Sequence, residues 1–206
     1  NWLGLGGDKT PVSQSAQCQR HAEIAAELVK KGVAYRCFLD DAELQALRAE
    51  CKASGVSLRS PWRDRNPAYG PDRPFTVRMK MPSEGSTTIE DAVQGAVTIQ
   101  NKLLDDMVIL RGDGSPTYML AVVVDDHDMG ISHVIRGDDH LNNAFRQLMV
   151  YRGMGWQAPI FAHIPLIHGS DGAKLSKRHG ALGVDAYRDM GFLPDVKRII
   201  KTMPKK

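Results

Sequence analysis

Residues 131–167, ISHVIRGDDHLNNAFRQLMVYRGMGWQAPIFAHIPLI, decide the fold class of this 206-residue chain. ISHVIRG (131–137) and PIFAHIPLI (159–167) are typical of short strands. DDHLNNAFRQLMVYRGMG (138–155) begins with acidic capping residues and ends at glycines, as helices do. A strand, a crossover helix and a second strand predict a parallel pair in an α/β sheet. Ligands of such sheets bind at the carboxyl ends of the strands.

Helices and strands also alternate before this stretch. Apolar periodicity and capping signals predict a helix over about 13–31, a strand at VAYRCFL (33–39) and a helix over about 40–53. PTYMLAVVVDDHDM (116–129) predicts a buried helix that leads into the first strand of the pair.

The section between these parts has a different character. SLRSPWRDRNPAYGPDRP (57–74) is rich in proline and arginine and predicts irregular structure. FTVRMKM (75–81) alternates apolar and polar residues, which predicts a half-buried strand. AVQGAVTI (92–99) and DMVILRGDG (106–114) predict further short strands, with a turn at Gly95. The section therefore predicts a small α+β insertion.

Composition restricts the classes of protein to which the chain can belong. A hydrophobic fraction of 42%, a charged fraction of 25% and a net charge of +3 are typical of a globular protein and permit an anionic partner. Three cysteines without a CxxC pair favour a reducing, cytoplasmic location over a disulfide framework. No apolar run approaches the roughly 20 residues of a membrane span, and NWLGLGGDKT at the start is not a signal peptide.

The loop DGAKLSKRHGA (171–181) places Lys174, Lys177 and Arg178 between glycines. It lacks the GxxxxGK[ST] pattern of a P-loop, yet two such lysines can converge on one polyphosphate as mobile point charges. A solvated basic turn has the same pattern, and the spacing alone favours that interpretation.

Three other polar clusters each allow a functional and a structural interpretation. In HVIRGDDH, Arg136 lies at a strand end, where it could bind a carboxylate or phosphate, and Asp138 could bind ribose hydroxyls. The structural alternative is that both residues belong to a tight turn with an acidic helix cap. VVDDHDM (123–129) contains potential metal ligands, but consecutive helical residues point apart, so capping is favoured. RSPWRDR (59–65) places arginines next to a tryptophan, a combination that binds single-stranded nucleic acid. A proline-rich loop held in place by its aromatic residues would have the same sequence pattern.

Several motifs together resemble the bacterial glutamyl-tRNA synthetases, which are class I aminoacyl-tRNA synthetases. KLSKRHG resembles the second signature loop of that class. DGSPTYMLAVVVDDHDMGISHVIRGDDHLNNAFRQ and FAHIPLIHGSDGAKLSKRHGALGVDAYRDMGFLP match the family in order and spacing, and the upstream WLGLGGD and LVKKGVAYRC also fit. The resemblance covers roughly residues 1–194.

The resemblance implies an α/β fold with two parts. Residues 1–32 and 111–194 correspond to a Rossmann-like, parallel-sheet nucleotide-binding domain, incomplete in this chain, and residues 33–110 to an α+β insertion that binds the acceptor stem. Residues 195–206 depart from the family and are interpreted as a divergent basic tail. An HIGH-type first signature is absent, so we expect the chain alone to be inactive or nearly so.

The resemblance also implies the chemistry. Such enzymes use ATP with Mg²⁺ as a substrate to activate glutamate as glutamyl-adenylate, and then transfer the glutamate to the terminal adenosine of its tRNA. The predicted site residues are Lys174, Ser176 and Lys177 as catalytic; Lys177, His140, Leu166, Ile167 and Asp138 for ATP; Tyr118 and Arg136 for glutamate; and Arg59, Arg63 and Arg65 for tRNA.

The predicted partners are glutamate, ATP and the acceptor end of the glutamate tRNA, and the predicted state is a cytoplasmic monomer without a membrane contact. Many relatives bind zinc through a Cys-x-Cys pair, but YRCFLD retains only Cys37, so no metal site is predicted. Two alternatives remain: a non-catalytic protein with weak RNA or ATP binding, and a protein similar to glutamyl-queuosine tRNA synthetase. The KLSKRHG loop and the missing cysteines argue against the second.

Overall fold

A computed structural model of the chain describes residues 7, 10–65, 70–168, 172, 174 and 184–193. They fall into two compact units, of which the larger is Ser13–Ile164 and the other comprises the parts on either side. In chain order the elements are α1 Cys18–Lys30, β1 Ala34–Cys37, α2 Asp41–Ser54, β2 Thr76–Met79, β3 Ser86–Asp91, β4 Gly95–Gln100, β5 Val108–Leu110, α3 Tyr118–Asp128, β6 His133–Gly137, α4 Leu141–Met154, β7 Ile160–Ile164 and, in the second unit, α5 Val184–Asp189.

The parallel pair predicted from residues 131–167 is confirmed. β6 and β7 run parallel with Arg136 opposite His163, and α4 connects them. The helix starts later than predicted because Asp138–His140 form a 3₁₀ turn before it. It ends at Gly155, whose φ of 76° favours a residue without a Cβ atom. The carboxyl ends of both strands therefore lie side by side.

The strand predicted at FTVRMKM is confirmed as β2, but its predicted half-burial is wrong. β2 is the middle strand of an antiparallel sheet ordered β1–β2–β5. Arg78 of this strand is only 5% exposed, and its Nη1 donates to the carbonyl of Asp106 at 2.8 Å. Alternation is a poor guide here, because the apolar stem of an arginine can be buried once its guanidinium finds an acceptor.

The strand predicted at AVQGAVTI (92–99) is wrong in its first half. β3 and β4 form an antiparallel hairpin that runs from the pair Ser86–Gln100 to the pair Asp91–Gly95, and residues 92–94 are its turn. β3 has the sequence STTIED, in which isoleucine is the one large apolar residue. Apolar periodicity therefore missed this strand, although alternate residues of it are buried.

Local capping signals position the two amino-terminal helices. The helix predicted to start at Ser13 begins as a 3₁₀ turn, Gln14–Gln17, and continues as α1. Asp40 caps α2 as predicted, because its carboxylate accepts from the Glu43 amide at 2.8 Å while the Glu43 carboxylate accepts from the Asp40 amide at 2.8 Å. α2 ends at Gly55, whose φ is 66°.

One hydrophobic core holds α1, α3 and α4 against the antiparallel sheet. Burying a large aliphatic side chain contributes about 1.5–3 kcal/mol, so this core is a main source of the stability of the fold. Among the described residues, no helix is long and apolar enough to cross a membrane. The most deeply buried side chains include Ile24, Leu28, Met79, Ile109, Leu120, Val124 and Phe145.

The acidic end of α3 joins this helix to α1. Asp125 hydrogen-bonds the fully buried His21 at 2.7 Å, and Asp128 pairs with Arg20 at 2.9 Å. Burial and the neighbouring Asp125 carboxylate raise the pKa of Asp126. In the part of the chain that the structure describes, no three His, Cys, Asp or Glu side chains are grouped so that they could hold a metal ion. The DDHD cluster therefore ties two helices together.

Candidate active site

The carboxyl end of β6 presents Arg136, whose guanidinium is held on two sides. Nε donates to Nε2 of His163 at 3.1 Å. Nη2 donates to Oε1 of Gln147 at 2.8 Å and to the carbonyl of His140 at 3.3 Å. Nη1 donates to the hydroxyl of Tyr118 at 3.4 Å. These contacts fix the plane of the guanidinium and direct its Nη1 edge toward Tyr118.

Tyr118 is the first residue of α3, and 45% of it is exposed to solvent. The two predicted glutamate-binding residues are thus brought together. A guanidinium has five N–H donors, and the described contacts engage its Nη1 nitrogen only through the long bond to Tyr118. This edge retains the capacity to bind an anionic oxygen, and a carboxylate has the planar geometry that matches it.

Asp138 and His140 lie in the 3₁₀ turn that follows β6, close to Arg136 along the chain. Nδ1 of His140 is 3.1 Å from Nδ2 of Asn143, and both Asp138 and His140 are partly exposed. Partial exposure at the end of a parallel strand suits contact with a ligand. Their predicted role in binding ATP stays a prediction.

The remaining residues predicted to bind ATP belong to the second unit. Leu166 is half-buried and Ile167 is 51% exposed. An isolated antiparallel β-bridge joins His168 to Lys174, the first lysine of the predicted phosphate loop. Three predictions lie outside the described residues: Ser176, Lys177 and the tail at 195–206.

The three arginines predicted to contact tRNA lie in different environments. Arg63 pairs with the buried carboxylate of Asp106, and its Nη2 donates to a backbone carbonyl at 2.8 Å. Arg59 directs Nη2 to two backbone carbonyls at 3.3 and 3.4 Å. Arg65 is exposed, and its guanidinium lies 4.3 Å from the centre of the Trp62 ring. Internal contacts thus engage Arg59 and Arg63, whereas Arg65 is exposed beside Trp62, and the predicted tRNA contact of all three stays a prediction.

His163 is fully buried and links Arg136 to a carboxylate that the sequence did not reveal as part of the site. An arginine nitrogen can only donate a hydrogen bond, so Nε2 of His163 must accept and the ring proton must lie on Nδ1. Nδ1 then donates to Oδ2 of Asp91 at 2.6 Å. The tautomer of His163 is therefore defined by its two neighbours.

Asp91 ends β3 and fastens the hairpin to β7. Its Oδ1 accepts from the amides of Val93 at 3.0 Å, Gln94 at 2.9 Å and His163 at 3.1 Å. The side chain of Gln94 donates to the carbonyl of His163 at 3.0 Å. The turn of the hairpin is thereby fixed to the strand that carries His163.

The hydrogen bonds to Asp91 lower the pH at which this carboxyl takes up a proton. Burial opposes its ionisation, but hydrogen bonds from the Gln94 amide, the His163 ring and amide, and the Val93 amide outweigh burial and hold the pKa of Asp91 well below its usual range. In the unfolded chain the same group protonates near pH 3.9. The folded state resists protonation, so the stabilisation is complete above about pH 5 and is lost as the pH falls.

We therefore expect the free energy of unfolding, measured by urea titration, to fall between about pH 5 and pH 2 and to fall less in Asp91→Asn. Asp64 is a suitable control because its carboxylate is 84% exposed, and Asp64→Asn should keep the parent's pH dependence. An Asp91→Asn chain that lost stability in acid as steeply as the parent would contradict this assignment.

Asp91, His163 and Gln147 complete the site, although none of them was predicted from the sequence. Two signals in the sequence could have found the first pair. His163 is an ionisable residue inside the apolar strand IFAHI, and a buried imidazole needs partners. Asp91 stands at the junction of a polar strand and a turn, where a carboxylate often binds backbone amides. Gln147 has no such local signal.

Comparison with known proteins identifies the family. Residues 1–200 match the family described as tRNA synthetases class I (E and Q), catalytic domain. The chain is 63% identical over 193 residues to "Glutamate–tRNA ligase 1" of Cereibacter sphaeroides, covering 93% of this chain and 41% of that protein. It is 62% identical over 200 residues to "Glutamate–tRNA ligase 2" of Rhodospirillum rubrum, covering 96% and 43%. The chain spans about two-fifths of the length of these curated relatives.

A solved structure supports the same assignment at the level of the fold. The crystal structure of a glutamate tRNA ligase from Elizabethkingia meningosepticum, in complex with its amino acid, superposes with a TM-score of 0.79 at 30% identity, covering 98% of this chain and 48% of that one. The parallel pair β6–β7 with α4 is consistent with a Rossmann-like domain. The chain belongs to the catalytic-domain family of the class I tRNA synthetases for glutamate and glutamine.

Proposed function

We propose that the chain is the catalytic portion of a glutamate–tRNA ligase. It would activate glutamate with ATP, releasing pyrophosphate and forming glutamyl-adenylate, and would transfer glutamate to the acceptor end of its tRNA. The observation that carries this proposal is the guanidinium of Arg136, held by His163 and Gln147 with one edge directed toward Tyr118. Such an edge at the end of a parallel strand suits an amino-acid carboxylate.

Recognition of glutamate in this proposal uses charge and shape together. Arg136 neutralises a carboxylate of the substrate through its Nη1 edge, and the Tyr118 hydroxyl, 3.4 Å away, offers a second polar contact to the same group. Because the guanidinium is already oriented by the protein, little of its freedom is lost when the substrate binds.

ATP, with Mg²⁺ as part of the substrate, is assigned to a second set of residues. Lys174, Ser176 and Lys177 would act on the phosphates, since lysine provides a mobile point charge that can follow a polyphosphate as its charge develops. The adenine and ribose would be bound by Asp138, His140, Leu166 and Ile167.

We assign the tRNA acceptor end to the insertion at residues 33–110, between the catalytic parts at 1–32 and 111–194. Arg65 and the adjacent Trp62 are the candidates for direct contact, because a cation beside an aromatic ring suits an unpaired base and its phosphate. The tail at 195–206 has no assigned role, and we propose that the catalytic unit is a monomer.

Two measurements test this function on the chain itself. Binding of glutamate by calorimetry is the first readout, and glutamate-dependent ATP–pyrophosphate exchange is the second. The proposal requires saturable glutamate binding that is lost in Arg136→Ala and kept in Lys177→Ala. Any exchange that is observed must disappear in Lys177→Ala.

The alternative of a non-catalytic RNA- or ATP-binding protein predicts a different result. Such a chain would bind neither glutamate nor its close analogues, and would still shift tRNA in a gel at low salt. Absence of glutamate binding in the folded chain would overturn the proposed function, whether or not tRNA is bound. A glutamyl-queuosine tRNA synthetase-like activity would instead be indicated by glutamate transfer to queuosine in a tRNA.

A further inference from the structure

We propose that Asp91 and His163 are positioning residues for substrate recognition, acting through Arg136. The proposal rests on the proposed function in one respect, namely that Arg136 binds a carboxylate of the substrate. Asp91 lies at the tip of the β3–β4 hairpin, within the predicted insertion, whereas His163 and Arg136 lie on the parallel pair. The insertion would thus help to build the amino-acid site as well as receive tRNA.

The direction of every hydrogen bond in this chain of residues follows from elementary chemistry. Arg136 can only donate and an ionised Asp91 can only accept, so His163 between them must be neutral with its proton on Nδ1. The opposite tautomer would place an N–H group of His163 against the Nε–H of Arg136 and leave the Asp91 carboxylate facing a bare nitrogen. Asp91 therefore selects the tautomer that can hold Arg136.

Asp91 is itself held rigidly, as it must be in order to select the tautomer of His163. Its carboxylate binds the amides of Val93 and Gln94 in its own turn and the amide and ring of His163, and its side chain is completely buried. A carboxylate fixed by several amides stays ionised and does not rotate away from the imidazole.

Gln147 provides the second fixed acceptor for Arg136. It is only 2% exposed, and its Oε1 accepts from Nη2 at 2.8 Å. With Nε bound to His163 and Nη2 bound to Gln147, two of the three guanidinium nitrogens are anchored. The Nη1 edge is then the one turned toward Tyr118 and available to the substrate.

A matched pair of substitutions at His163 tests the relay. Glutamine places an acceptor near the position of Nε2, whereas asparagine retains a donor near Nδ1 and offers nothing to Arg136. We expect His163→Asn to weaken glutamate binding about tenfold or more and His163→Gln to weaken it about threefold or less, with ATP affinity unchanged in both. Asp91→Asn should resemble His163→Asn. The control is His133→Asn, because His133 is exposed on the neighbouring strand.

The tautomer provides a readout that does not depend on binding or turnover. Nitrogen-15 NMR of the unmodified chain should show a pyrrole-type Nδ1 and a pyridine-type Nε2 for His163, and this pattern decides the question if the variants fail to fold. A protonated Nε2, or equal glutamate binding in His163→Asn and His133→Asn, overturns the relay. If Arg136→Ala itself leaves glutamate binding intact, the proposed function fails instead, so the two failures are distinguishable.

Discussion

Replacing Arg136 by alanine is expected to reduce glutamate affinity by about 100- to 1,000-fold. The truncation removes the group proposed to pair with a substrate carboxylate, and losing one member of a close charged pair costs about 2–5 kcal/mol. It also leaves two buried acceptors, Nε2 of His163 and Oε1 of Gln147, without their donor. Titration calorimetry with glutamate measures the loss.

Two further variants make the Arg136 result specific. Arg152→Ala removes an exposed arginine from α4 and should leave glutamate affinity within about twofold of the parent. Arg136→Lys keeps the charge but cannot donate to His163, Gln147 and the substrate from one rigid plane, so we expect it to restore little. Full affinity in Arg136→Lys would show that charge alone suffices and would contradict the geometry described for the site.

Asp106→Asn is expected to lower the free energy of unfolding by about 3–5 kcal/mol. Asp106 is completely buried, and its carboxylate accepts from Tyr35 Oη and the Met81 amide, both at 2.9 Å, and pairs with Arg63. Burial, the Asp106 charge and the hydrogen bond to Asp106 all raise the pKa of Tyr35, so its hydroxyl remains a donor. An amide in place of the carboxylate turns an NH₂ group toward these donors and leaves the Arg63 charge unpaired.

The adjacent Asp105 provides the matched control for Asp106→Asn. Its side chain is 41% exposed and pairs with Arg146 at the surface, so Asp105→Asn should cost no more than about 1 kcal/mol. Urea denaturation at neutral pH compares the two variants under identical conditions. Similar losses in both variants would mean that the buried cluster around Asp106 contributes no more than a surface pair.

The sequence was most informative where local signals and global fold agree. The parallel pair in residues 131–167 follows from a strand, a capped helix and a strand, each with its own local signature, and the structure confirms all three. The α2 capping box is equally local, since Asp40 and Glu43 bind each other's amides. Elements of this kind need no information from distant residues.

Burial was predicted less well, because it depends on neighbours in space. Arg78 occupies a polar position in an alternating strand, and only the placement of β2 between β1 and β5 puts it inside the protein. β3 was not predicted because STTIED has few apolar residues, and the strand is stabilised mainly by its pairing with β4. In both cases tertiary contacts override the pattern along the chain.

The residues of the candidate site also fall into those that the sequence revealed and those that only tertiary contacts reveal. Arg136 could be singled out because it ends a predicted strand, and the family resemblance added Tyr118. Asp91 and Gln147 could not be linked to Arg136 from the sequence. Asp91 acts through a hydrogen bond to His163, which is far away along the chain, and Gln147 meets Arg136 only because packing buries its side chain next to the guanidinium. Sequence patterns thus identify the residue proposed to bind the ligand more readily than the residues that hold it in place.

The contact between Asp91 and His163 has a consequence for the order of folding. It joins residues 72 positions apart, and closing a loop of that length costs about 4 kcal/mol of chain entropy. Contacts of such long range form after local helices and hairpins. Until the hairpin meets β7, Arg136 is an arginine at a strand end whose planar group can rotate. The carboxylate binding proposed for Arg136 would therefore be acquired late, as a property of the completed fold and not of the strand that carries the arginine.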